Sequence, residues 1–326
     1  MKYLSIFWSL LRYRVAVMLV LFMAIALAYH HGLEVLTWRH AVAVVALLCS
    51  YVSATSFNDV ADEDIDKINH AGKPGRLLVT GQATARQLVA VGLVASTVML
   101  GCGFLLGPAA GVTTLVALAV NLAYSLPPLR LSYRTHFVPF VLAVGYVYVP
   151  YGLGLSVVQA SFGSGDGWVL AALYGLFLAR INLKDFRDRD GDAKYGKPTF
   201  LLRYGKAATL WASQILLGMG TLLAVIVVSR VSPLGLVVVC YAAVISWLLI
   251  RLGKTPVGVH ELVVIGVAAQ VGNGLLISIL AVFLVNGSAI PDWALAVILA
   301  SVLAGSLANL KFLSQNPRQV LEAYRG

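Results

Sequence analysis

Residues 40–66 read HAVAVVALLCSYVSATSFNDVADEDID. The apolar part, 40–58, is 19 residues long, and a helix rising about 1.5 Å per residue needs roughly 20 residues to cross a bilayer. The run then ends in residues 58–66, where five of nine positions are acidic. A second apolar run closes the same way. Residues 185–192 read DFRDRDGD, and together the two segments hold nine of the chain's 14 Asp and Glu. A chain that concentrates scarce negative charge at two membrane ends holds something positive there.

Working outward, the 326 residues are 60% hydrophobic and only 12% charged, with mean hydropathy +0.86, the composition of a polytopic membrane protein. Apolar runs fall near 13–30, 40–58, 87–107, 109–125, 136–158, 167–183, 208–229, 232–251, 261–286 and 291–313. These predict an all-α transmembrane bundle forming a single domain over 1–326, with its core at about 10–286 and an extra C-terminal helix at about 291–313. Gly107-Pro108 is read as a tight reversal between the third and fourth runs. The first run is expected to be a retained helix, since no small-residue cleavage signature follows it.

The net charge of +10 would suggest nucleic acid in a soluble protein. Here the basic residues sit in short connections, and with both termini cytoplasmic 21 of the 24 Lys and Arg fall on one side. That distribution predicts a plasma (inner) membrane protein with cytoplasmic acidic segments, and no nucleic-acid partner. The three cysteines lie inside apolar runs without metal spacing.

On a continuing helix Asn58, Asp62 and Asp66 share one face, and so do Asp185, Asp188 and Asp192. Glu63 and Asp64 then face solvent, and Asp59 is a neighbour without an assigned role. Two opposed faces of this kind offer hard oxygen ligands suited to Mg²⁺. Mg²⁺ on carboxylates keeps positions open for phosphate oxygens, so a diphosphate is implied. Basic residues beside the segments, Lys73, Arg76, Lys184 and Lys197, with Arg130, are candidates to hold its outer oxygens. Either segment alone reads as a solvated helix end; the shared spacing and side favour a site. No EF-hand pattern is present at 188–192.

These residues resemble the UbiA superfamily of intramembrane prenyltransferases. Asn58, Asp59, Asp62 and Asp66 match its N-D-x-x-D-x-x-x-D motif, and Asp185, Asp188 and Asp192 its D-x-x-D-x-x-x-D motif. Residues 69–81 resemble the N…K-P-x-R-P-L-x-x-G loop, residues 124–130 the Y-S-x-P-P-x-x-L-K segment, and Gly191-Asp192 with residues 196–199 the G-D…G-K-x-T stretch. The match covers about 10–285. Leu77 stands where a proline is usual, Arg130 and Tyr133 stand near a usual lysine, and the run at 291–313 exceeds the usual nine helices.

The resemblance implies nine core helices plus a tenth, a central cavity opening to the cytoplasm, a Mg²⁺-bound polyprenyl diphosphate donor and a small, aromatic acceptor. Asp62, Asp66, Asp188 and Asp192 would be catalytic and, with Asn58 and Asp185, would ligate the metal. Tyr124, with Tyr146, Tyr148, Tyr151 and Tyr174, is a candidate to face an allylic cation; belt or packing aromatics are the plainer reading of these tyrosines. Arg180, Gln270 and Asn273 are candidates at an acceptor site, and no histidine is assigned a catalytic role. A cation transporter using the same carboxylates is the competing reading, but it would place them near the bilayer midplane. A lipid-head-group transferase would need a D-G-x-x-A-R stretch, absent at 190–194.

Overall fold

The computed structural model describes residues 2–71, 76–230, 232, 234–285 and 290–316, and among them there is no strand. They fall into two compact units, residues 2–161 with 188–203, and residues 162–187 with 204–316. Eight described helices are long and apolar enough to cross a bilayer, and up to nine if the bent pair at the N-terminus is one span. All ten apolar runs read from the sequence are helical. The one run outside that tally is at 167–183, where a polar first turn and Arg180 lower the hydropathy of its 18-residue helix. The protein is an all-α integral membrane protein.

The first unit contains α1 (Lys2–Leu10), α2 (Tyr13–Tyr29), α3 (Trp38–Ala61), α4 (Glu63–Asn69), α5 (Ala85–Leu106), α6 (Pro108–Ser125), α7 (Val138–Ala143), α8 (Val149–Val158) and the short α10 (Arg189–Lys194). α5 begins in a capping box, Thr84 and Gln87 each accepting the other's backbone N–H at 3.3 and 3.0 Å. It ends at Gly107, whose φ of 128° turns the chain directly into α6 with Pro108 at the first position. The reversal expected from Gly107-Pro108 is therefore present.

Small residues let these helices approach closely. A Cβ on Gly103 would sit 2.2 Å from Thr114 Oγ1, and one on Gly92 would sit 2.9 Å from Ser56 Cβ. Ser53 and Ser96 hydroxyls meet at 2.8 Å between α3 and α5, and Asn121 donates to the Ser50 carbonyl at 3.1 Å from α6. Between α7 and α8 the chain makes a π-turn over Val144–Tyr148. It carries Tyr146, whose ring meets that of Tyr51 edge-on at 6.2 Å.

The majority-side rule for basic residues leaves Arg39 as an exception, and its contacts explain it. The guanidinium donates to the carbonyls of Leu106, Ser156 and Val157 at 2.7, 2.7 and 3.0 Å. Those carbonyls lie at the ends of α5 and α8, where helices leave acceptors without intrahelical partners.

The second unit contains α9 (Ser164–Ile181), a 3₁₀ turn (Asn182–Phe186), the greater part of α11 (Phe200–Ser229), α12 (Gly235–Lys254), α13 (Val259–Val285) and α14 (Asp292–Gln315). Gly205, at φ 80°, breaks α11 near its start. α9 and α11 cross at Gly175 and Gly220, where a Cβ on Gly220 would meet the Leu176 backbone nitrogen at 2.6 Å. The tenth apolar run is a true helix of membrane length, joined to α13 by Asn309 donating to Gln270 at 2.8 Å. Arg180 donates to Asn273 at 2.6 Å, so both amides flagged in the ninth run bond to neighbouring helices.

Candidate active site

The acidic end of α3 does not continue as one straight helix. Asp62 leaves helical geometry at φ −107°, ψ 18°, and α4 starts at Glu63. Backbone bonds nonetheless keep the four-residue step: Asp62 N–H to Asn58 at 2.9 Å, Asp66 N–H to Asp62 at 2.9 Å and His70 N–H to Asp66 at 2.8 Å. Asp62 and Asp66 are buried, and so is Asp59. Glu63 and Asp64 instead pair with Lys67 at the surface, each at 3.0 Å.

Each buried carboxylate of this first segment meets a cation. Arg76 Nη1 lies 2.6 Å from Asp66 Oδ2 and 2.9 Å from Asp59 Oδ1, while its Nη2 lies 2.8 Å from His70 Nε2. Arg12 Nη2 reaches both oxygens of Asp59 at 2.6 and 2.5 Å. Lys197 Nζ lies 2.8 Å from Asp62 Oδ2 and 3.9 Å from Asp192 Oδ1. Arg130 Nη2 stands 3.6 Å from Asp62 Oδ1, donates to the Ala61 carbonyl at 2.9 Å, and stacks its guanidinium over Tyr133 at 4.2 Å.

The second acidic segment reaches this cluster through α10, which packs on α4. Asn69 accepts the Gly191 N–H at 2.6 Å. Only glycine fits there, because a Cβ would lie 2.7 Å from both the Asn69 side chain and the Ile65 carbonyl. That close approach brings Asp188 Oδ1 to 3.5 Å from His70 Nε2, which is itself 3.6 Å from Asp66 Oδ1. Asp185 does not share a continuous helical face with Asp188 and Asp192, since it lies on the 3₁₀ turn and α10 starts only at Arg189.

The first unit thus gathers Asp62, Asp66, Asp188, Asp192, Arg76, Arg130 and Lys197 from the residues expected at the site. Asp185 is buried in the second unit, with Lys184 Nζ 3.3 Å from its Oδ1. Asn58 and Tyr124 are half-buried in the last turns of α3 and α6. Lys73 lies outside the described residues.

Three residues of the cluster escaped the sequence reading. Asp59 sits at its centre although its spacing puts it off the Asn58–Asp62–Asp66 face. Arg12 precedes the first apolar run and reads in the sequence only as one of the basic residues that mark membrane orientation. His70 is a lone histidine one turn beyond Asp66. The asparagine and aspartate adjacent in the first motif were a signal for Asp59; nothing in the sequence pairs Arg12 with it across 47 residues.

Burial is the largest influence on the Asp66 carboxyl, pushing it up to about 7; Arg76 opposes this and the neighbouring Asp59 adds to it. Burial and the nearby Arg12 lower Arg76 from its ordinary value. The cluster therefore holds more charge than its surroundings solvate well.

Among the described residues no three His, Cys, Asp or Glu side chains form a ready-made metal cage. A Mg²⁺ site needs none, because this ion is commonly held by one or two carboxylates plus substrate phosphates. The donors fit: they are carboxylate oxygens, and Asp62 Oδ1 is buried without a hydrogen-bond partner.

Residues 17–256 match the UbiA prenyltransferase family. Over 152 residues the chain is 29% identical to the bacteriochlorophyll synthase 33 kDa chain of Rhodobacter capsulatus, covering 45% of this chain and 49% of that one. It is 31% identical over 188 residues to homogentisate phytyltransferase of Synechocystis, covering 53% and 57%. The matches thus span about half the length of these relatives. The fold is that of a UbiA homologue from Archaeoglobus fulgidus solved with GPP and Mg²⁺, with TM-score 0.65 at 16% identity over 87% of this chain and 99% of the other. A homologue from Aeropyrum pernix aligns with TM-score 0.63 at 18% identity over 84% and 98%. With the acidic segments, their order and the helical fold all in agreement, the chain belongs to the UbiA prenyltransferase family.

Proposed function

We propose that the protein transfers a prenyl group from a polyprenyl diphosphate to a small aromatic acceptor, using Mg²⁺. The observation that carries this is the cluster of buried carboxylates from both acidic segments, interleaved with Arg76, Arg130 and Lys197. Relatives named for transfer to homogentisate and to an acylphloroglucinol support an aromatic acceptor.

Asp62, Asp66, Asp188 and Asp192, with Asn58, would hold Mg²⁺. When bound, Mg²⁺ supplies positive charge against the diphosphate oxygens. Arg76, Arg130 and Lys197, with Lys73, bind the remaining oxygens and stabilise the leaving group as the allylic C–O bond breaks. The acceptor's ring carbon supplies the electron pair of the new C–C bond and afterwards loses its proton. Tyr124 would present an aromatic face to the developing cation. The chemistry requires a site closed to water, which would otherwise capture the cation first. We assign the protein to the plasma membrane with its acidic segments facing the cytoplasm, on the distribution of basic residues.

The test is to incubate purified protein, Mg²⁺ and labelled polyprenyl diphosphates of several lengths with a panel of aromatic acceptors and to identify products by mass. Asp62→Ala and Asp188→Ala are expected to abolish transfer. Full activity in either variant would remove that residue from the site. Metal uptake into proteoliposomes without any diphosphate would favour a transporter instead.

A further inference from the structure

We propose that His70 is a positioning residue that fixes Arg76 for the diphosphate, an inference that rests on the prenyl-transfer reading. His70 closes α4, and its N–H bonds back to Asp66 at 2.8 Å, which puts the imidazole one turn beyond that carboxylate on the same face. It is buried, at 3% exposure. Around Nε2 stand Arg76 Nη2 at 2.8 Å, Asp188 Oδ1 at 3.5 Å and Asp66 Oδ1 at 3.6 Å.

An arginine has donors only, so a hydrogen bond between Nη2 and Nε2 requires the lone pair on the histidine side. Arg76 donates from Nη1 to Asp59 and Asp66 and from Nη2 to His70. Three of its five N–H groups are thus fixed, and two remain for phosphate oxygens.

A lysine at this place would repel Arg76, whereas an imidazole nitrogen accepts from Nη2 and orients the guanidinium. Asn69, the preceding residue, holds α10 through Gly191, so the same short segment fixes both the cation and the approach of the second acidic segment.

The experiment is calorimetric titration of the full chain in detergent with magnesium pyrophosphate. Wild type is compared with His70→Ala, His70→Gln, Arg76→Ala and the His70→Ala/Arg76→Ala double variant. Losing one hydrogen bond to a charged group should raise Kd about tenfold in His70→Ala. His70→Gln, which keeps an acceptor, should stay within about threefold of wild type. The double variant should bind no more weakly than Arg76→Ala. With prenyl diphosphate as substrate, its KM should rise while the acceptor's KM is unchanged, a split that general loss of structure would not give.

If Arg76→Ala weakens binding and His70→Ala does not, or if the two losses add, the positioning role is wrong and the prenyl-transfer reading stands. If Arg76→Ala binds like wild type, the assignment of Arg76 to the diphosphate fails and the inference fails with it. Should His70→Ala not fold, His70→Met keeps comparable bulk without a strong acceptor and takes its place.

Discussion

Lys197 Nζ lies 2.8 Å from Asp62 Oδ2, joining side chains 135 positions apart, and the same ammonium stands 3.9 Å from Asp192 Oδ1. One cation thus holds a carboxylate from each acidic segment. Breaking a buried ion pair leaves the other charge uncompensated, at about 3–5 kcal/mol. Lys197→Met should lower the stability of the metal-free protein by about that amount, measured by denaturation in detergent with chelator. Added Mg²⁺ should recover more stability in the variant than in wild type, since it supplies positive charge where the lysine is missing.

Gly191 allows α10 to lie against α4. Gly191→Ala places a methyl group 2.7 Å from the Asn69 side chain and the Ile65 carbonyl, and overpacking of this kind costs about 1–3 kcal/mol. The variant should remain folded by size-exclusion chromatography and bind magnesium pyrophosphate at least roughly tenfold more weakly, because Asp188 and Asp192 move with α10. Wild-type affinity would show that this contact does not set the site.

Whereas Arg12 and Arg76 bond to carboxylates, Arg39 bonds to main-chain carbonyls. Removing its three hydrogen bonds to main-chain carbonyls should cost about 2–4 kcal/mol. Arg39→Lys should fall between wild type and Arg39→Ala, as a single ammonium cannot span three carbonyls in the guanidinium's geometry. Denaturation midpoints check both, and prenyl transfer below the unfolding temperature should be unchanged.

In metal-free protein, the Asp66 carboxyl is raised from its ordinary value of 3.8 to about 7. The folded state then binds this proton more tightly than the unfolded state does. Its contribution to stability is fully present below pH about 4 and is lost as pH rises towards 7. Subtracting the stability of Asp66→Asn from that of wild type at each pH in chelator isolates this term. The difference should decline between pH 4 and 7 and then level off; a difference that rises over that window would contradict the sign.

The helices, the reversal at Gly107 and the four-residue step through Asn58, Asp62 and Asp66 were legible because each rests on local chemistry. Apolar run length, glycine before proline and backbone hydrogen bonding are all written within a few residues. Even so, the straight helix imagined past Ala61 is broken at Asp62, since pattern alone carries the step but not the bend. Arg12 and His70 were illegible for a different reason. An arginine before a transmembrane run already has an adequate explanation in membrane orientation, and a lone histidine has no spacing to recommend it. Their roles follow from tertiary approach, which joins Arg12 to Asp59 and His70 to Arg76. Asp185 shows the converse: its spacing suggests a continuous helical face with Asp188 and Asp192, yet it lies on the 3₁₀ turn that ends before α10 begins.

The pre-paired carboxylates of the first unit also bear on how a charged substrate enters. Asp59, Asp62 and Asp66 are already matched to Arg12, Lys197 and Arg76. Under the proposed chemistry, Mg²⁺ takes over carboxylates while the diphosphate takes over the cations they release, so loading is an ion exchange between two pairs of partners. The protein's own charges were stripped of water when the chain folded, so at that moment only the incoming ions have water to shed. The resting salt bridges are then placeholders, and their strength sets a threshold that either ion alone does not pass as readily as the two together.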